Sequence, residues 1–229
     1  MLRSAVLAAA LAGLAAPVAA AAAASTGRAA APGKRPPTMF SARVARWLVH
    51  ETVWGSIATI SNGHDSGTVG NPFVNPMSHS DGIANATDPK QQSTGTPYFL
   101  MTGLDETPQD LELNPVGSFS ISEDQLAGDS ICMKTDGEDP VCARISLTGK
   151  FVDVTANGTK AEQDFGLQAL YSRHPEFPSF GPPGTGDHDF HVWKLVIKTM
   201  FILDFYGGAT PVTPSEYYAA SPFTVGVAA

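Results

Sequence analysis

Apolar positions at Val44, Trp47 and Leu48, with Glu51 one turn on, recur at the three- and four-residue spacing of a helix. Ser41 stands ahead of them as the expected N-cap, and Gly55 breaks the pattern. Ser56 to Ser61 is rich in β-branched residues and reads as a strand. From Asn62 to Gly82 the chain is crowded with Gly, Asn, Pro and His, with one short strand expected at Phe73-Val74 and a polar loop over Ala84 to Thr96. Tyr98 to Met101 is a compact apolar strand. Thr107 to Leu113 predicts a short helix that ends at Asn114-Pro115, because a residue before proline avoids the α region.

Ser118 to Ser122 and Ala143 to Val152 alternate polar with apolar side chains, as half-buried strands do. The pattern turns helical from Thr159 through Phe165, Gln168, Ala169 and Leu170, and Arg173-His174-Pro175 stops it. Residues 178–187 form a Gly/Pro-rich loop. Phe190 to Phe205 is the longest strand signal, with a bend expected near Lys198-Thr199 and an end at Gly207-Gly208; Ser215 to Tyr218 predicts a last helical turn. There is no internal repeat. Strands dominate, so the expected class is mainly β with peripheral helices, a barrel.

The first residues change how the rest is read. Met1-Leu2-Arg3 is a short positive start, Ala5 to Ala24 is almost wholly Ala, Leu, Val and Gly, and small residues follow at Ala20 to Ala24. That is the layout of a signal peptide over residues 1–24, too poor in Leu, Ile and Phe to remain as an anchor. We expect a disordered lead over 25–38, a folded domain over 39–220 and a tail over 221–229, with no membrane insertion after signal cleavage. The expected location is secreted or extracellular, or the lumen of endosomes and lysosomes. A formal charge of −8 argues against nucleic acid and against adhesion to anionic membranes.

An oxidising compartment gives meaning to the two cysteines, Cys132 and Cys142, which we expect to form one disulfide. Their spacing fits two adjacent strands joined by turns at Asp136-Gly137 and Asp139-Pro140. The same compartment makes the sequons Asn85-Ala86-Thr87 and Asn157-Gly158-Thr159 candidate glycosylation sites, Asn157 in an expected hairpin turn.

Several stretches together resemble the CREG family of secreted glycoproteins, part of the FMN-binding split-barrel group that includes pyridoxamine 5'-phosphate oxidases. They are Ala45-Arg46-Trp47-Leu48-Val49-His50, Trp54 to Ser61, Pro72-Phe73, Ser80-Asp81-Gly82, Pro97-Tyr98-Phe99, Gln109-Asp110-Leu111 with Asn114-Pro115, Cys142-Ala143-Arg144, Arg173-His174-Pro175-Glu176, Leu203 to Gly208 and Thr213-Pro214 before Tyr217-Tyr218. The resemblance spans about residues 40–218. It implies a six-stranded split β-barrel, a homodimer, and a protein receptor or sorting receptor as partner, with a role in growth or differentiation. Two departures stand out: the Gly/Pro-rich loop Phe180 to Asp187 is longer than in animal members, and Ser221 to Ala229 replaces a glycosylated end.

Flavin-using relatives hold the cofactor's phosphate with cations, one of them about seven residues before the Asn-Pro pair. Here that position is Thr107, and no Lys or Arg occurs between Gln91 and Met133. A phosphate dianion there meets repulsion, with Arg43, Arg46, Arg144 and Lys150 as cations elsewhere in the sequence. The histidines of Asp187-His188-Asp189-x-His191 and His79-x-Asp81 tempt a metal reading. On a strand His188 and His191 would face opposite sides, so no metal is expected. Gly184-Thr185-Gly186 is not a nucleotide turn, and His50 and His174 read as capping or packing groups at helix ends. The aromatic pairs Tyr98-Phe99 and Phe205-Tyr206 are expected in the core or an interface. We therefore expect no catalytic residue and no cofactor: a non-enzymatic glycoprotein working through protein partners, with an FMN-dependent oxidoreductase as the alternative.

Overall fold

The computed structural model describes residues 33–62, 69–126, 131–185 and 188–223. The expected signal peptide, most of the lead, Gly186-Asp187 and most of the tail lie outside the described residues. Residues 31–229 make one compact unit. Its elements run α1 (Ser41–Glu51), β1 (Trp54–Ile60), β2 (Pro72–Ser78), α2 (Pro89–Gln92), β3 (Tyr98–Thr102), α3 (Glu106–Leu113), β4 (Val116–Ser122), β5 (Arg144–Asp153), α4 (Val154–Asn157), α5 (Lys160–Arg173), β6 (Phe190–Leu203), β7 (Thr210–Pro211) and α6 (Pro214–Ala219). All strand pairings are antiparallel, in the order β2-β1-β4-β5-β6-β3, and the two-residue β7 adds to β6 as a seventh strand.

The sheet curls until its edges meet. Just beyond β2, Ser80 pairs with Tyr98 at the start of β3, with N–H···O bonds of 3.1 and 2.8 Å, and this single bridge closes the seam of a split barrel. Alternation points Ile57, Phe99, Phe119, Leu147, Phe151 and Leu195 inward, where Val44, Trp47 and Leu48 of α1 join them. β3 is apolar on both faces for a reason. Tyr98 and Leu100 point outward, with Val192 of β6, and are covered by Leu170 of α5 and Phe177. The expected bend in β6 is a bulge. Thr148 pairs with Thr199 and Gly149 with Ile197, so Lys198 has no partner across the ladder.

Several expectations need correction. Ser41 is the first helical residue, not the cap; Phe40 holds the N-cap position without a side-chain bond. The helix does end ahead of Gly55, which lies inside β1, where a Cβ would meet Phe119 and the Ser120 carbonyl at 2.6 Å. The strand at Phe73-Val74 extends over all of Pro72–Ser78, because β1 templates its whole length. Asn157 ends α4 with Gly158 as its C-cap, since Asp153 accepts from the Ala156 N–H and nucleates a turn of helix where a hairpin was expected. His188 sits in the turn ahead of β6 and not on a strand.

The lead is held down over its described end. Arg35 donates to the Val141 and Asp204 carbonyls at 2.7 and 2.8 Å and pairs with Glu123 at 2.8 Å, and the Trp47 indole donates to the Gly33 carbonyl at 2.8 Å. The start of the tail is likewise engaged, with the Phe223 carbonyl accepting from Arg43 at 3.2 Å.

Cys132 and Cys142 form a disulfide. It does not join two strands. Cys132 lies in a short 3-10 turn, Ile131–Lys134, and Cys142 in the turn before β5, because the Asp136 and Asp139 turns fold the segment back on itself. Both sulfurs are buried beside the Glu123 and Arg35 contacts. Labelling of unfolded, unreduced protein should find no free thiol, and replacing both cysteines by Ala should lower the urea unfolding free energy by about 2–3 kcal/mol. Two reactive thiols per chain would contradict the pairing.

Candidate functional site

The position where a flavin phosphate is expected is built from β2, β3 and α3. β3 runs through a turn into α3, whose N-cap Asp105 accepts from the Thr107 N–H at 3.2 Å. Asn75 of β2 donates to both Asp105 oxygens at 2.9 Å and lies 3.3 Å from the Thr107 hydroxyl. Thr107 is fully buried. The other carboxylates of this acidic stretch tie elements together. Asp110 accepts from the Thr59 hydroxyl at 2.6 Å and the Asn62 N–H at 2.7 Å, and Glu106 accepts from Ser61 at 3.1 Å.

A flavin phosphate does not fit these residues. The amide end of α3 is already filled by the chain's own carboxylate, which plays the part an anion would take. Three of the four cations named from sequence are committed elsewhere, and Lys150 is exposed on β5. Arg46 is buried against Ser93 and Thr94, Arg144 donates to the Gly137 carbonyl at 3.2 Å, and Arg43 serves Phe223.

A second constellation surrounds the barrel seam. Asp81 is fully buried and accepts from the Ser93 hydroxyl, from the Gly95 N–H at 3.2 Å and from His50 Nδ1 at 3.1 Å. Arg46 donates to the Thr94 carbonyl at 2.8 Å and to the Ser93 carbonyl and hydroxyl at 2.8 and 3.0 Å, and it lies 5.3 Å over the Tyr217 ring. The Tyr217 hydroxyl donates to the Gly95 carbonyl at 2.8 Å. Gly95 has φ +80°, and a Cβ there would stand 1.9 Å from the Arg46 guanidinium, so only glycine fits.

Ser, His and Asp meet here, yet not as a nucleophilic relay. Ser93 donates to Asp81 rather than to His50, and it is only 5% exposed. The carboxylate, not the imidazole, holds the hydroxyl, and both Ser93 and Asp81 are buried, so the order of a nucleophilic relay is not formed. The sequence offers Arg46 as a phosphate cation and Asp81 within the family pattern and beside His79, but not the two together. No local spacing links residues 46, 81, 93 and 217.

His79 and His174 stack the same seam onto the helices. His79 Nε2 is 3.1 Å from the Val49 carbonyl, His174 Nε2 is 3.0 Å from the His79 carbonyl, and the His79 ring meets Phe119 edge-on at 4.9 Å. Burial pushes the His79 imidazole down to about 4 and lowers that of His174. Burial alone would raise the Asp81 carboxyl, but bonds and charge from His50, then Ser93 and Arg46, hold it below its ordinary value.

The remaining sequence candidates stand apart. Asn85 is exposed in a turn at φ 64°, and Asn157 is exposed at the end of α4, so both sequons face solvent. His191 Nδ1 is 2.6 Å from Asp153 while His188 offers its carbonyl to Thr102. Among the described residues no three His, Cys, Asp or Glu side chains converge as a metal site. Tyr98 and Phe99 are buried, whereas Phe205 and Tyr206 are exposed.

These shifts set a pH dependence. As pH falls below 6.5 the unfolded state takes up the His79 proton first, so stability present above 6.5 is lost progressively toward pH 4. The full loss is about 3 kcal/mol. Asp81 adds a further loss only below the ordinary carboxylate range. Urea unfolding at pH 7 and pH 5 should show wild type losing about 2 kcal/mol, with a clearly flatter profile in His79→Gln. An equal slope in the variant would remove His79 as the cause.

The comparisons with known proteins follow the same architecture. The family model described as "CREG, beta-barrel" matches residues 36–219. Protein CREG1 of Gallus gallus is 37% identical over 196 residues, covering 85% of this chain and 93% of that protein. Protein CREG1 of Homo sapiens is 34% identical over 185 residues, 80% of this chain and 76% of that protein, and Protein CREG2 of Homo sapiens is 34% identical over 84% of this chain and 59% of its own length. Among solved structures, a heme binding protein from Mycobacterium smegmatis superposes with a TM-score of 0.54 at 19% identity, over 82% of this chain and 62% of that one. Protein Atu2129 of Agrobacterium tumefaciens gives 0.54 at 20% identity, over 82% and 64%. Those structures share the split-barrel fold alone. The family match instead runs from the lead clamped by Arg35, through the seam at Ser80 and Asp81, into α6, and on that extent the chain belongs to the CREG family.

Proposed function

We propose that this protein is a secreted or endolysosomal glycoprotein without chemistry of its own, working as a homodimer that binds protein partners, a sorting or signalling receptor among them, in control of growth or differentiation. One observation carries the proposal: the bare outer face of β2, β1 and β4. These three strands contain no charged residue. Outward they present Ser56, Ala58, Ser118 and Ser120, a low surface bordered by exposed Trp54, Val74 and Val116. On β5 and β6 it continues through Ser146 and Thr148 to exposed Val196 and Phe201. On β2, β1 and β4 this face carries no charge, with Lys150 of β5 at its border between Val116 and Val196. A low face of small side chains rimmed by apolar ones is what a self-complementary interface requires, at about 800 Å² per copy.

The absence of chemistry is supported by the filled α3 amide end and by the Ser93 hydroxyl turned to Asp81. The leader and the exposed sequons support the compartment and the glycans.

Light scattering of the mature protein at micromolar concentration should give twice the chain mass. Ala58→Arg places a cation in the middle of the face and should halve that mass while moving the unfolding free energy by no more than about 0.5 kcal/mol. A wild-type monomer would overturn the dimer. Purified protein should also show no flavin band near about 450 nm and no saturable quenching of added FMN. One FMN bound per subunit would promote the oxidoreductase alternative.

A further inference from the structure

A cleft of about 50 Å³ lies between the end of β3, the side of α3 and the start of β6. Buried Met101 and Trp193 contribute its apolar wall. Glu112 of α3 lines it together with Asp189 and His191, and Gly103 stands at its edge. The imidazole is fixed in place: His191 Nδ1 is 2.6 Å from Asp153 Oδ2, and Nε2 is 3.5 Å from Asp189 Oδ1. Asp153 is itself anchored, its other oxygen accepting from the Ala156 N–H at 2.9 Å.

The charge balance decides the class of ligand. Two carboxylates, Glu112 and Asp189, line the cleft with one imidazole, and Asp153 stands behind that imidazole, so the net charge is negative whether His191 is protonated or not. No Lys or Arg lines the cleft. An anion is repelled, and a purely apolar group leaves the carboxylates unanswered. An ammonium group satisfies both kinds of wall: the carboxylates accept its N–H bonds, and an indole and a thioether favour a cation and the methylenes behind it. Size limits the ligand further. Sites that enclose a whole small molecule run to about 300 Å³ or more, so this one admits only the end of a chain.

We propose that this cleft binds the end of a primary alkylammonium chain, supplied by a lysine side chain of a partner protein or by a free diamine. The proposal does not depend on the bare sheet face or on the absence of catalysis. It adds a point of specificity for a basic ligand on an acidic protein.

The test is a titration of the mature, ¹⁵N-labelled protein followed at the indole N–H of Trp193, assigned by its loss in Trp193→Phe. The probes are Nα-acetyl-lysine methylamide, 1,4-diaminobutane and the uncharged Nα-acetyl-norleucine methylamide. Both amines should shift the signal saturably, and the norleucine probe should not. Glu112→Gln and Asp189→Asn should each weaken binding by about two- to fivefold. Gly103→Leu, whose Cβ would enter open space, should weaken it without disturbing the other resonances. Tighter binding of the lysine probe assigns the site to a partner's side chain, and tighter binding of the diamine assigns it to a free amine. No saturation by a concentration on the order of 10 mM, an equal response to norleucine, or unchanged affinity in both carboxylate variants would overturn the proposal.

Discussion

The barrel depends on a seam that its own strands close only once. Six strands pair along long ladders, but β2 and β3 meet through Ser80 and Tyr98 alone. A single bridge is too little to hold two sheet edges against solvent. The closure is secured by Asp81, the next residue after the bridge, whose buried carboxylate gathers donors from His50 of α1, from Ser93 and from Gly95. Arg46 and Tyr217 extend this hub to α1 and α6, and His174 extends it to the end of α5. Three helices are thereby fixed around one buried carboxylate that accepts three hydrogen bonds, the condition under which such a group is tolerable.

The helices that secure the seam also decide which surface stays open. α5 covers the outward side chains of β3 and β6, turning those strands into two-sided core. Nothing of this chain covers the outward side chains of β1 and β2 among the described residues, and those strands carry neither charge nor long polar groups. A sheet that is buried on one flank and bare on the other is asymmetric in a way its strand pattern alone does not reveal. The bare flank carries the proposed self-association.

Two groupings that look chemical have the geometry of scaffolding. Ser93, Asp81 and His50 carry the residue types of a hydrolase, but the carboxylate sits between the other two. The acidic residues around α3 resemble a surface that repels phosphate, and they do more than repel. Asp105 caps the helix, Asp110 binds β1, and Asn75 locks Thr107. In this chain the amide end of α3 is capped by a side chain of the protein itself.

Strand and helix identities were legible in the sequence because they rest on local periodicity. Tyr98 to Met101 follows from a compact apolar run, Ser118 to Ser122 from alternation, and the helix ended by His174-Pro175 from the 3.6-residue repeat and proline's missing N–H. The even cysteine count was legible for the same local reason, as were the sequons. The sequence also held the order of motifs that carries the family resemblance. Local rules failed where a distant partner supplies the deciding bond. β2 lengthens because β1 templates it, and Asn157 ends a helix because Asp153 caps one. Cys132 lies in a 3-10 turn because the Asp136 and Asp139 turns fold its loop back, and Gly33 to Thr38 are ordered because Arg35 finds acceptors more than 100 residues away. The hub at Asp81, the bare flank and the ammonium cleft each join residues from several elements. Spacing along the chain carries no trace of them, because they exist only once the sheet has curled and brought its two edges together.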